Sequence, residues 1–77
     1  MVWIGCPQPR IREIAILRVA WNLNSYYEWC HHVSIARSAA GMEDADFRAI
    51  EKGAAAKRWS PAEAAVQAHY AVATFPT

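Results

Sequence analysis

Helix-breaking residues cut this chain into four stretches, and none of the stretches alternates polar and apolar residues with period two. That pattern excludes a sheet and leaves helices. Pro9 suits the first turn of a helix, where its missing N–H is not needed. Residues 9–22 follow as good helix formers without an internal Gly or Pro. Asn22-Leu-Asn-Ser breaks the run, and Asn24 or Ser25 is the expected N-cap of the next helix. That helix reaches about Ala40, and Gly41 ends it as the residue beyond the cap. Met42 to Lys52 reads as a short third helix with Glu43, Asp44 and Asp46 at its electropositive start. Gly53 closes it. Ser60-Pro-Ala-Glu is a capping box with proline at the first helical position, so a last helix is expected over 61–74. Residues 1–8 are an irregular lead-in. The expected fold is all-α: one domain over 1–77, a small bundle of about four helices around a central helical hairpin.

A chain of 77 residues has trouble holding such a bundle alone. A domain near this size buries only about 60% of its unfolded surface. Four tryptophans and a 55% apolar composition are rich for so small a body. A piece of a larger core is therefore expected: a truncated chain, an obligate oligomer, or both. The net charge is +1 with acids and bases interspersed, so no basic stripe points to nucleic acid. Cys6 and Cys30 lack the CxxC spacing of a redox or zinc site. They read as two reduced thiols, although a single bridge between them stays open. The first residues lack a positive n-region, and no stretch reaches the roughly 18 apolar residues of a membrane helix. A soluble, cytoplasmic protein without membrane partners is expected.

A helical wheel of residues 25–40 sorts the polar groups. Tyr27, His31, Ser34 and Ser38 share one narrow arc, the expected wet side. Trp29, Val33, Ile35, Ala36, Ala39 and Ala40 lie opposite and should face the core. Ser25, Glu28 and His32 fall inside this apolar arc, and Glu28 and His32 are four residues apart, so they can meet. On residues 10–22, Glu13 shares its arc with Ile16, Leu17 and Ala20, while Arg12 and Arg18 lie on other sides. A carboxylate on an apolar face needs a partner.

Each of these features also has a purely structural explanation. Glu28 and His32 can form a helix-stabilising pair, Glu13 can favour a helix start, and Ser25 can be only a cap. His31 and His69 read as surface histidines. Trp21 and Trp29 wall a pocket or fill the core, with core favoured. Glu13, Glu28 and His32 are a conceivable metal set, but no fourth ligand is evident, so neither metal nor cofactor is expected.

These residues are also familiar. The run Arg12-Glu-Ile-Ala-Ile-Leu-Arg-Val-Ala, then Tyr27-Glu-Trp-Cys-His-His-Val-Ser-Ile-Ala-Arg, then Ala40-Gly-Met, resembles the carboxymuconolactone decarboxylase family. Trp59-Ser-Pro-Ala-Glu resembles the segment that follows in its members. The likeness covers residues 9–66 or so, with a core motif over 9–42, and is specific in 12–42 and weaker afterwards. In the alkyl hydroperoxidase D branch the motif is Glu, eleven residues, Cys, two residues, Cys, three residues, His. Laid on this chain, Glu13 takes the Glu position, His32 the His position, and the two cysteine positions fall on Ser25 and Glu28. Cys30 is no displaced substitute, because it lies about 160° around the helix from His32.

Several expectations follow from the resemblance. Thiol peroxidase chemistry needs an attacking and a resolving thiol, and a serine and a carboxylate supply neither. What remains is the acid/base chemistry of the decarboxylase branch on a small lactone or keto-acid-like compound. His32 would carry the proton, Glu28 would be its partner, and Glu13 the second carboxylate. Ser25 would hydrogen-bond in the pocket, and Trp29 would line it. The family implies an all-helical homo-oligomer, a trimer or hexamer, with sites close to subunit contacts. Its domains are longer than this chain, which again suggests truncation. Two other readings stay open. One is a peroxiredoxin-type antioxidant activity using Cys30 or Cys6. The other is a non-catalytic fragment or assembly module.

Overall fold

The computed structural model describes residues 8–71, in which the order is α1 (Pro9–Asn22), α2 (Tyr26–Ala40), α3 (Asp44–Lys52) and α4 (Pro61–His69). No strand occurs among the described residues. The all-α expectation therefore holds, and α1 and α2 form the central hairpin. Cys6 and everything after Ala71 lie outside the described residues.

The turn of that hairpin is made by Asn24, not by a cap on α2. Asn24 has φ 54°, the left-handed region that asparagine tolerates better than most residues. Its N–H donates to the Trp21 carbonyl at 3.1 Å, and the Ser25 N–H donates to the Ala20 carbonyl at 3.0 Å. This pair of bonds is a Schellman ending, which satisfies two carbonyls that α1 would otherwise leave orphaned. Ser25 thus closes α1 while standing at the N-cap of α2, where its side chain makes no capping bond. The connection is short, so α2 folds straight back along α1.

α2 ends at Gly41, φ 62°, as its glycine predicts. The third helix starts two residues later than expected. Met42 is pulled inward, only 3% exposed, so it serves as core rather than as a first helical turn. α4 has the expected capping box: Glu63 N–H donates to Ser60 Oγ at 3.2 Å, and Ser60 N–H donates to Glu63 Oε1 at 3.0 Å. It ends at His69, with a turn at Tyr70 and Ala71, and the expected end at residue 74 lies outside the described residues.

α1 is the axis of the fold and packs on α2, α3 and α4. That explains why its buried positions, Glu13, Ile14, Leu17, Arg18, Val19 and Ala20, wrap around more than one face. Ile14, Leu17, Ala36, Met42, Phe47 and Ile50 form the core, with Trp29, Val33, Ala40, Trp59 and Val66 packed against it. Arg18, which lies off the Glu13 arc, is also buried: it is 7% exposed and donates to the Ile50 carbonyl at 2.6 Å and to Asn22 Oδ1 at 3.1 Å. With only neutral acceptors around it, burial lowers its pKa from the ordinary arginine value. Trp21, expected in the core, is 43% exposed and leans on Trp29 with ring centroids 5.4 Å apart.

A polar cluster ties the helices together at the other end. The buried Asp46 carboxylate accepts from Arg10 Nη2 at 2.9 Å, Arg58 Nε at 2.6 Å and the Glu43 backbone N–H at 2.9 Å. Burial works against ionising Asp46, but the two guanidinium groups and the backbone donor outweigh it and hold the carboxyl well below the usual range. Arg10 also donates to Glu63 at 2.7 Å, which links α1, α3 and α4.

Candidate functional site

The hairpin brings one carboxylate and one imidazole together from different helices. Glu13 points inward from the first turns of α1 and is 1% exposed. His32 points towards it from the middle of α2, with Nδ1 2.8 Å from Glu13 Oε1. The other Glu13 oxygen accepts from Arg12 Nε at 3.0 Å. A carboxylate with so little solvent needs such donors, and it has one on each oxygen.

His32 is therefore oriented by Glu13 more than by Glu28. The expected pair with Glu28 is looser: Nε2 stands 3.6 Å from Glu28 Oε2, beyond a normal hydrogen bond. Glu28 is also not on a buried face. Its side chain is 49% exposed, against 17% for His32. The wheel puts Glu28 inside the apolar arc, but in the first turn of α2 that arc is open to solvent at Glu28. The wheel did separate the histidines correctly, since His31 is exposed and His32 half-buried. Its wet arc also holds, because Tyr27, Ser34 and Ser38 are all exposed.

The result is a row of three groups. Glu13 is buried at the back, His32 stands in the middle, and Glu28 is at the surface. With Nδ1 holding its proton against Glu13, Nε2 is turned outward towards Glu28. The row can relay a proton between the protein interior and whatever meets Glu28.

Glu28 faces a cavity. A hollow of about 390 Å³ runs beside α1, lined by Ile16, Val19, Ala20 and Leu23 together with Ala15, Ser25, Glu28 and Tyr70. Its wall is almost wholly apolar, and Ser25 just before α2 and Glu28 in its first turn bring polar side chains to it. This combination of apolar walls with a few convergent polar groups is the usual make-up of a small-molecule site. Glu13 and His32 are not among the lining residues; they stand behind Glu28. Trp29 lies elsewhere. It packs against the core, edge-on to Phe47 with centroids 6.5 Å apart, and borders a smaller hollow of about 80 Å³ beside Trp21 and Ser25.

The conceivable metal set also changes membership. The ligand atoms that converge are those of Glu28, His31 and His32, all within 4.8 Å of one another, while Glu13 is occupied behind His32. Cys30 is exposed on α2 and makes no disulfide among the described residues. No described helix is long and apolar enough to cross a membrane. No family model, curated protein or solved structure matches this chain.

Sequence reasoning missed Arg12 as the second support of Glu13 and Tyr70 as a cavity wall. Arg12 directly precedes Glu13 in the chain, which is a readable signal. Tyr70 reaches the cavity only through the packing of α4 on α1, which no local pattern encodes.

Proposed function

We propose that the chain is a carboxymuconolactone decarboxylase-like protein that performs non-redox acid/base chemistry on a small lactone or keto-acid-like compound. The observation that carries this reading is the Glu13–His32 bond across the hairpin, with His32 Nε2 directed at the Glu28 carboxylate on the rim of an apolar cavity. A decarboxylation breaks the bond to the departing carboxylate. The electron pair delocalises into the adjacent carbonyl, and the carbon left behind takes up a proton. His32 first takes a proton from solvent on Nε2 and passes it on through Glu28, which lines the cavity, Glu13 holds the resulting neutral imidazole in orientation, and Ser25 donates to the substrate. The apolar wall seats the carbon skeleton and keeps water from competing for the proton.

The assay is a panel of lactone carboxylic acids and β-keto acids, followed by carbon dioxide release. Glu28→Gln and His32→Gln are each expected to lower turnover about 100-fold or more, the usual weight of general acid–base catalysis. No release from any compound, or release indifferent to both variants, defeats this reading.

The same proposal includes self-association in the cytoplasm. Tyr26 and Tyr27 are 82% and 74% exposed, and Trp21 and Leu23, also at the hairpin turn, are uncovered too, so this patch of the surface is rich in large apolar side chains, with Leu23 in the cavity wall. A trimer or hexamer that covers this patch would complete the cavity wall. Light scattering after size-exclusion chromatography should give a defined oligomer, and Tyr26→Glu should dissociate it. A monomer at all concentrations contradicts this part of the proposal.

A further inference from the structure

Glu28, His31 and His32 form a pattern that acid/base chemistry does not require. Glu28 lies three residues before His31 and four before His32, so both imidazoles belong to the turn directly above it. Side chains on a helix lean towards its N-terminus, so both rings tilt towards the carboxylate. One ligand atom from each residue falls within 4.8 Å of the other two. The two histidine rings are 5.1 Å apart between centroids. His32 Nε2 and Glu28 Oε2 are 3.6 Å apart, too far for a hydrogen bond. That spacing suits two ligands of one ion, since atoms held about 2.0–2.2 Å from a tetrahedral metal sit roughly 3.3–3.6 Å from each other.

A second observation points the same way. Glu13 Oε1 holds His32 Nδ1 at 2.8 Å from the opposite helix. A carboxylate behind an imidazole fixes the proton on the nitrogen that faces it, here Nδ1, orients the ring and leaves the Nε2 lone pair free to bind a cation. Nearly every histidine that ligates a metal donates its other ring N–H to a carboxylate, a backbone carbonyl or a water. His31, which has no carboxylate behind it among the described residues, is exposed and able to turn onto an ion.

We propose that Glu28, His31 and His32 bind one divalent transition-metal ion of the zinc type, with Glu13 as the orienting group behind His32. Two imidazoles and one carboxylate favour zinc, cobalt or nickel over magnesium or calcium, which prefer oxygen alone. Three protein ligands on an accessible surface leave a coordination position for water. Metal binding stands on this geometry and needs no activity. Its consequence for the site rests on the acid/base reading: an ion on Nε2 takes the lone pair that would carry the proton, so metal loading switches that proton transfer off.

The test titrates cobalt(II) chloride into the full chain and reads visible absorption and calorimetry, with zinc chloride as competitor. The expected result is saturable binding of one ion per chain, with the bands of a low-coordinate nitrogen and oxygen site and no thiolate charge-transfer band. Glu28→Gln and His31→Ala, both at exposed positions, should each weaken binding at least tenfold. Glu13→Gln should weaken it about 10- to 100-fold without touching the ion. His69→Ala, which removes an exposed histidine on α4, should leave it unchanged. Absence of saturation, a thiolate band, or an affinity indifferent to Glu28→Gln and His31→Ala overturns the proposal. Carbon dioxide release with no metal binding leaves the acid/base reading standing alone. Metal binding with no release leaves the metal site standing alone.

Discussion

Glu13 of α1 and His32 of α2 meet at 2.8 Å across the hairpin, nineteen positions apart in the chain, and the carboxylate they share is almost completely withdrawn from water. The bond therefore joins the two central helices as well as orienting the imidazole.

Breaking it from either side should be felt in stability. Glu13→Ala and His32→Ala are each expected to lower the unfolding free energy by roughly 1–3 kcal/mol, because one leaves a half-buried imidazole and the other a buried carboxylate short of a partner. The double variant should lose at least about 0.5 kcal/mol less than the sum. Urea denaturation of the four proteins measures this. Strict additivity would mean that the two groups do not interact.

Asp46 should govern the acid side of the stability profile. Its carboxyl is held below the ordinary value of about 4, so between the two values the unfolded chain binds more protons than the folded one. The stability it contributes is fully present above about pH 5 and declines as the pH falls further. Asp46→Asn should flatten that decline and lower stability at pH 7 by about 2 kcal/mol. This is less than the roughly 3–5 kcal/mol of a fully buried pair, because Arg10 and Arg58 are partly solvated. Thermal melts from pH 7 to pH 3 compare the two proteins, and parallel curves would contradict the assignment.

The start of α4 rests on Ser60. Replacing Ser60 with Ala removes the acceptor for the Glu63 N–H and should cost about 1 kcal/mol. For a domain of this size that is a Tm lower by about 4–8 °C. An unchanged Tm would show that the Arg10–Glu63 pair alone holds this helix end.

Cys30 should be dispensable. It is exposed, and on a helix it lies about 160° around from His32. Cys30→Ser should leave carbon dioxide release within about twofold of the unmodified chain, since the proposed step uses no thiol. A loss of activity in Cys30→Ser would revive the peroxiredoxin-type reading.

The helices were legible because their ends are chemically marked. Pro9, Gly41, Gly53 and the Ser60–Glu63 box each act within one turn of chain, so sequence alone placed them. Glu13 and His32 were legible for a related reason: each is a polar residue inside an apolar arc. Burial is where the local pattern ran out. Glu28 and Arg18 owe their exposure to what other helices cover, and a wheel drawn on one helix carries no such information. The Asp46 cluster escaped entirely, because Arg10 reaches Asp46 across 36 positions and nothing in either neighbourhood marks them as partners. Met42 read as a helix start because its neighbours are helix formers, but the core of α1 and α3 had more use for its side chain.

The most direct measurement is the protonation pattern of the His32 ring, read from ¹⁵N–¹H NMR correlations of the neutral imidazole in the intact chain and in Glu13→Gln. With Glu13 holding Nδ1, the proton should reside on Nδ1 and leave Nε2 bare towards Glu28, the reverse of a free histidine side chain. The Glu13→Gln variant should shift the balance back towards Nε2–H. A neutral ring already protonated on Nε2 in the intact chain, and unchanged by Glu13→Gln, would contradict the Glu13–His32–Glu28 row and the chemistry built on it.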